Sequence, residues 1–251
     1  KTKKLGWNVL LKIMSVETLF HEHYEEANEA NVVEFLISNR ENSGSLVSAI
    51  RAARENARTS KDLFPLEGWE MLNDLNLLMK QSADDLIRRR DRFRFLTEVI
   101  GRCQQFNGLI QSSMSRNQAH EFLLLGTFVE RADMTSRTLD IAAGICAGQR
   151  AQGRVVTVSV DGMSFIQPVK VGDILGIYTE VDRVGRTSID VHIEAWVRRG
   201  RIGSREKVTE ATFKFVAVDD NGKPSPLPAI EDLPSYVLNL NDHSSDDNSE
   251  D

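Results

Sequence analysis

The chain has 251 residues, 41% hydrophobic and 27% charged, which is enough apolar material for one large domain or two ordinary ones. Its formal charge is −6, and five acids with no Lys or Arg among them (Asp242, Asp246, Asp247, Glu250 and Asp251) sit in the last stretch, so the body is close to neutral. That balance excludes a nucleic-acid surface, which needs clustered cationic charge. No apolar run approaches the ~20 residues of a membrane helix, and two cysteines, Cys103 and Cys146, read as reduced thiols of a cytoplasmic protein rather than as a disulfide scaffold.

The chain opens basic and then apolar, but Lys12 interrupts the apolar run and no small-residue cleavage site follows, so no signal peptide is expected. From residue 5 to about 149, apolar residues recur at steps of three and four, as in Val32, Phe35 and Leu36, or Phe122, Leu125, Phe128 and Val129. That period predicts a helical bundle, with breaks at Asn42-Ser43-Gly44, before Pro65 and around Asn107-Gly108. His21 and His23 lie two apart and point to different sides of a helix; with the cysteines standing alone, no zinc site is expected. Arg51, Arg54 and Arg58 share a helical face with Glu55 beside them, and Glu67 and Glu70 follow. Glu130, Arg131, Asp133 and Arg137 form a second charged group. Such density suits an anionic ligand or a metal; the simpler reading is interhelical ion pairs and solvated faces.

Residues 154–219 change period. In TSIDVHIEAWV, Ile189, Val191, Ile193, Ala195 and Val197 face one way, while Ser188, Asp190, His192 and Glu194 face the other. Period two means a half-buried strand. VVTVSVDGMSF, GDILGIYTEVDRV and TEATFKFVAVD read alike, with turns at Gly172-Asp173, Val184-Gly185-Arg186 and Asp220-Asn221-Gly222. Four strands in a row predict an antiparallel sheet, and the fold class is α+β. No helix follows to cover the sheet's apolar face, so the cover must come from the helical half or from another chain. After Pro228 the chain becomes a polar, acidic tail, expected to be disordered.

Two resemblances emerge. IRAARENAR, WEMLNDL and FLLLGTFVERADMTSRTLD resemble the bacterial alpha-E domain family over roughly residues 7–141. Its members are helical, and the helix that usually opens the family's pattern is not found in this copy. GRVVTVSVDGMSFIQPVKVGDIL, DRVGRTSIDVHIEAWV and VTEATFKFVAVDDNGKP resemble the hotdog-fold acyl-CoA thioesterases of the bacterial short-chain type over about residues 140–228. This second resemblance implies a partial hotdog, in which an antiparallel sheet packs on a helix, subunits pair through the sheet, and coenzyme A binds along the interface.

It also implies site residues. Arg183, Gly185, Arg186, Thr187 and Ser188 match the family's turn beside the CoA phosphates. On the residues alone this stretch reads as an ordinary hairpin turn; the resemblance reverses that preference. Glycine admits close backbone approach, hydroxyls donate to phosphate oxygens, and arginine adds a charge-assisted fork. Leu139-Asp140-Ile141-Ala142-Ala143-Gly144 matches the end of the family's central helix, where the aspartate is assigned to the helix and not to catalysis. The family's Asp-Ile-Phe-Gly-Gly stretch, to which the resemblance assigns the catalytic carboxylate, is missing, as is the first strand. The lost carboxylate would fall near Val129, beside Glu130 and one turn before Asp133.

These readings predict three regions: an alpha-E-like domain over 1–139, a hotdog domain over 140–228 and a tail over 229–251. The expected function is that of an acyl-CoA thioester hydrolase with impaired catalysis, no cofactor beyond the CoA of its substrate, no metal, and homo-oligomerisation. The alternatives are a non-enzymatic helical assembly module and a spliced chain without integrated function. The two patterns overlap on Leu139-Asp140, so the seam is expected inside one helix spanning Leu125 to Ala147 and lying across the sheet.

Overall fold

Side-chain caps decide where the helices begin. Asn28 accepts a hydrogen bond from the Asn31 N–H at 3.0 Å to start the helix that begins at Glu29, and Ser45 accepts from the Ser48 N–H at 3.2 Å to start the one that begins at Leu46. The computed structural model describes residues 6–82, 89–199 and 203–234. Among them are α1 (Asn8–Ile13), α2 (Glu17–His23), α3 (Glu29–Ile37), α4 (Leu46–Thr59), α5 (Leu66–Ser82), α6 (Arg89–Ser113) and α7 (Gln118–Ala151). Four strands follow: β1 (Arg154–Phe165), β2 (Ile174–Val184), β3 (Ser188–Arg198) and β4 (Arg205–Val218). The described residues divide into two units, 6–132 and 133–234, and the division falls inside α7.

In the helical unit, one cluster joins Ile37, Ile50, Leu75, Met79, Phe95 and Val99, and another joins Leu11, Phe20, Val32 and Phe35. The break expected at Asn42-Ser43-Gly44 is present. Asn42 is buried, donates through Nδ2 to the Phe35 carbonyl at 3.0 Å, and accepts from the Gly44 N–H at 3.0 Å. Pro65 immediately precedes α5. The break expected at Asn107-Gly108 is not there, because α6 runs through both residues to Ser113. A mid-helix glycine costs about 1 kcal/mol, and α6 offsets that by burying Phe95, Val99 and Ile110. The chain turns later, where Asn117 Oδ1 accepts from the His120 N–H and starts α7.

In the sheet unit the expected strands and turns are present, and every pairing is antiparallel. The order is β1-β4-β3-β2, so β1 lies beside the last strand rather than its sequence neighbour. Ile189, Val191, Ile193, Ala195 and Val197 are all fully buried, as their alternation requires. Gly172 and Gly222 take φ of +93° and +76° in the turns, a region that favours glycine. The cover is α7: Leu139, Ala143 and Ala147 share one core cluster with β3 and with Val208, Ala211, Phe213 and Phe215 of β4. Small residues bring helix and sheet close, and a Cβ added at Gly144 would meet Phe215 at 3.7 Å. Residues 125–147 thus form part of one helix, as the overlapping patterns imply.

Of the acidic tail, residues 230–232 make a 3₁₀ turn and Leu233 is buried. The rest of the tail, from 235, lies outside the described residues. Among the described residues no helix is long and apolar enough to cross a membrane.

Candidate functional site

The β2–β3 turn gathers Arg183, Gly185, Arg186, Thr187 and Ser188. The Gly185 N–H donates to the Ser188 carbonyl at 2.8 Å and closes the hairpin. A Cβ at Gly185 would approach the Ser188 hydroxyl to 2.7 Å, so any larger residue there requires that hydroxyl to turn away. The Arg186 and Thr187 carbonyls accept from the Leu227 and Ala217 N–H groups at 2.9 and 2.8 Å, tying the turn to the following chain and to β4. The turn's shape is therefore held by backbone, and both arginine side chains are exposed. Arg183 lies 3.3 Å from the Asp190 carboxylate, which Lys214 also approaches at 3.9 Å, so Arg183 is partly neutralised.

α7 carries a carboxylate at the helix–sheet contact. The Thr157 hydroxyl on β1 donates to Asp140 Oδ1 at 2.6 Å. Asp140 is half-buried and adjoins the fully buried Leu139, so the helix cannot rotate it away without breaking the core. The residues proposed to stand near the missing motif differ. Asp133 is held by Arg137 one turn on at 2.8 Å, and Glu130 is exposed.

The helical candidates disperse. Arg58 pairs with Glu55, and this guanidinium holds the Glu55 carboxyl below the usual carboxylate range. Arg54 donates to Asn73 at 3.0 Å and lies 5.0 Å from the Trp69 ring centre, while Arg51, Glu67 and Glu70 are exposed. His21 contacts the Tyr24 carbonyl and His23 contacts Glu41 at 3.2 Å, so the two rings take separate partners. Burial pushes both thiols up; at Cys146 a hydrogen bond with Thr179 works the other way.

One group escaped the sequence reading. On the outer face of the sheet, ligand atoms of His192, Glu194 and Glu210 lie within 4.8 Å of one another. Glu194 and Glu210 are directly opposed across β3 and β4, an unfavourable like-charge pair. Lys207 resolves it by donating to both, to Glu210 at 2.9 Å. The Lys207 ammonium, helped by the Trp196 N–H, holds the Glu194 carboxyl low. The alternation of 192 with 194 was legible; the register that brings Glu210 and Lys207 beside them was not.

The Alpha-E family, described as a predicted alpha-helical domain with a conserved ER motif, matches residues 2–168. Glu130-Arg131 is the chain's one Glu-Arg pair. The thioesterase superfamily matches residues 134–204. The acyl-CoA thioester hydrolase YciA of Salmonella typhimurium is 50% identical over 93 residues, which is 36% of this chain and 70% of the relative. The chain belongs to both families. Its Alpha-E part supplies the helices, and its acyl-CoA thioester hydrolase part supplies the antiparallel sheet and the helix end beneath it. The overlap of the two matches contains the Asp140–Thr157 contact. Among solved structures, a hexameric thioesterase from Yersinia pestis is 48% identical (TM-score 0.37, covering 38% of this chain and 77% of that one). A hexameric hotdog fold thioesterase of Campylobacter jejuni is 38% identical (TM-score 0.35, 36% and 70%).

Proposed function

We propose that the sheet unit binds acyl-CoA, with the CoA phosphates at the β2–β3 turn, and hydrolyses the thioester slowly. The observation that carries the reading is the Asp140 carboxylate, held by the Thr157 hydroxyl on the segment shared with the acyl-CoA thioester hydrolases. The resemblance gives Asp140 to the helix rather than to catalysis; with the family's own carboxylate missing, the proposed reaction instead has Asp140, the carboxylate held at the helix–sheet contact, accept a proton from water. The water oxygen bonds to the thioester carbonyl carbon, the C–S bond breaks, and the CoA thiolate leaves and takes up the proton. The Asp-Ile-Phe-Gly-Gly stretch of the resemblance is replaced here by Alpha-E sequence, and with it the N–H donor expected for the carbonyl oxygen. Loss of such a donor costs about 10²–10³-fold in rate, so binding outlasts efficient turnover. The proposed chemistry draws on no metal and no cofactor beyond the CoA of the substrate. It suits the cytoplasm, where acyl-CoA is found and thiols such as Cys103 and Cys146 stay reduced. The sheet is also proposed to join copies of the chain. β1 is an edge strand that exposes Val156, Val158 and Val160, a template for strand pairing.

The test is calorimetric titration of the full chain with CoA, alongside thiol release from short acyl-CoA. Arg186→Ala is expected to weaken CoA binding about tenfold, the effect of one charge-assisted contact. Asp140→Asn is expected to abolish turnover while leaving CoA affinity unchanged. No CoA binding, or turnover indifferent to Asp140→Asn, overturns the proposal.

A further inference from the structure

β3 and β4 set two like-charge pairs directly opposite each other, and among the described residues only one is resolved. Glu194 and Glu210 share the Lys207 ammonium. Arg198 and Arg205 face each other where the two strands connect, and both are exposed. Like charges placed this way repel. Arg199, beside them, has Glu206 at 3.2 Å and Asp173 at 3.7 Å. Among the described residues no carboxylate pairs with Arg198 or Arg205. The Arg205 guanidinium lies 6.0 Å from the Tyr178 ring centre, which offers it no neutralising charge. This end of the sheet therefore presents two cations in want of an anion.

We infer that the Arg198–Arg205 pair is the docking surface for the acidic end of the chain's own tail, residues 242–251. Charge and reach commit to that occupant. Asp242, Asp246, Asp247, Glu250 and Asp251 carry no Lys or Arg among them. The chain leaves the sheet at its other end: the Leu227 N–H donates to the Arg186 carbonyl at 2.9 Å, and the Pro228 carbonyl accepts from Arg150 at 3.1 Å. β3 joins the two ends in 11 residues, about 35 Å at ~3.3 Å per residue. The 12 residues from 235 to 246 span about 40 Å when extended, so Asp246, Asp247, Glu250 and Asp251 reach the arginines. The way there runs beside β2, an edge strand. Tyr236, Val237, Leu238 and Leu240, which must cover it, are of the types that favour extended chain. One exposed ion pair is worth little. The tether, however, holds the tail at about millimolar effective concentration, so several weak pairs together suffice. The contact lies at the opposite end of the sheet from the turn at 183–188 and does not depend on the CoA reading.

The test uses the full chain with Asp247→Cys in a Cys103→Ser, Cys146→Ser background. A second cysteine is placed beside the arginines, Ser204→Cys, or in the turn at the end the tail leaves from, Asn221→Cys; both positions are exposed. On mild oxidation at low salt, the 204–247 disulfide is expected to form within one chain at least tenfold faster than the 221–247 disulfide. An undocked tail would reach 221 at least as readily, because 221 lies nearer its root. Raising salt to about 1 M, where the screening length falls to about 3 Å, is expected to remove the advantage of 204. Arg198→Glu combined with Arg205→Glu is expected to remove it at low salt. If that charge reversal unfolds the sheet, the salt comparison decides, since it leaves the arginines in place. Equal rates at 204 and 221, or an advantage of 204 that survives high salt, overturns the inference. A 204–247 disulfide that links two chains instead of closing within one also overturns it.

Discussion

Leu139→Ala is the sharpest test of α7 as the cover of the sheet. Leu139 is fully buried among Ile189, Val191, Phe213 and Phe215, with Ala143 and Ala147 as its helical neighbours. Leucine-to-alanine changes in such sites cost about 2.7–5.0 kcal/mol, and the value rises with the cavity left behind. Here the site cannot collapse. The helix already lies against the sheet at Gly144, where a Cβ would meet Phe215 at 3.7 Å, and the neighbouring alanines are too short to fill the gap. The upper half of the range follows, about 4 kcal/mol, set against a whole-domain stability of about 5–15 kcal/mol. Hydrogen exchange at the β3 amides should therefore accelerate about 10³-fold, at 1.4 kcal/mol per factor of ten. Leu77→Ala on α5, where the leucine is 44% exposed, is the control and should change exchange in its own unit by less than about tenfold. Unchanged exchange at β3 in Leu139→Ala would refute the cover.

Asn42→Ala should destabilise the helical unit by about 1–3 kcal/mol in urea unfolding, because it leaves the buried Phe35 carbonyl without its donor. Gly222→Val should cost about 1–2 kcal/mol in the sheet unit, since a β-branched residue resists φ of +76°; Gly222→Asn should cost less. The Glu194 carboxyl is held low by Lys207, so its contribution is present above the ordinary carboxylate range and lost as pH falls through the depressed value. Thermal melts of the sheet unit should lose stability on acidification, and Lys207→Met should flatten that dependence; identical pH profiles would contradict it.

The helix and strand periods were legible because burial on one face leaves a spacing that any reader of the chain can count. Asn42-Ser43-Gly44 was legible because its residues bond to their own neighbours. Asn107-Gly108 misled because a local break signal competes with packing, and Phe95, Val99 and Ile110 win. The turn residues 183–188 come together because they are consecutive. Asp140 and Thr157 are 17 apart, and no local pattern says that their side chains meet at 2.6 Å.

Sequence alone was enough to determine the two periods, the change between them after residue 150, and the need of the sheet's apolar face for a cover. Each follows from residue chemistry repeated at short range. Only the tertiary structure decided that β1 pairs with β4 and that Lys207 sits between Glu194 and Glu210, while the cover by α7 is the one the overlapping patterns implied. Strand order and register depend on which distant segments bury the most surface together, and period two constrains the face of each strand without naming its neighbour.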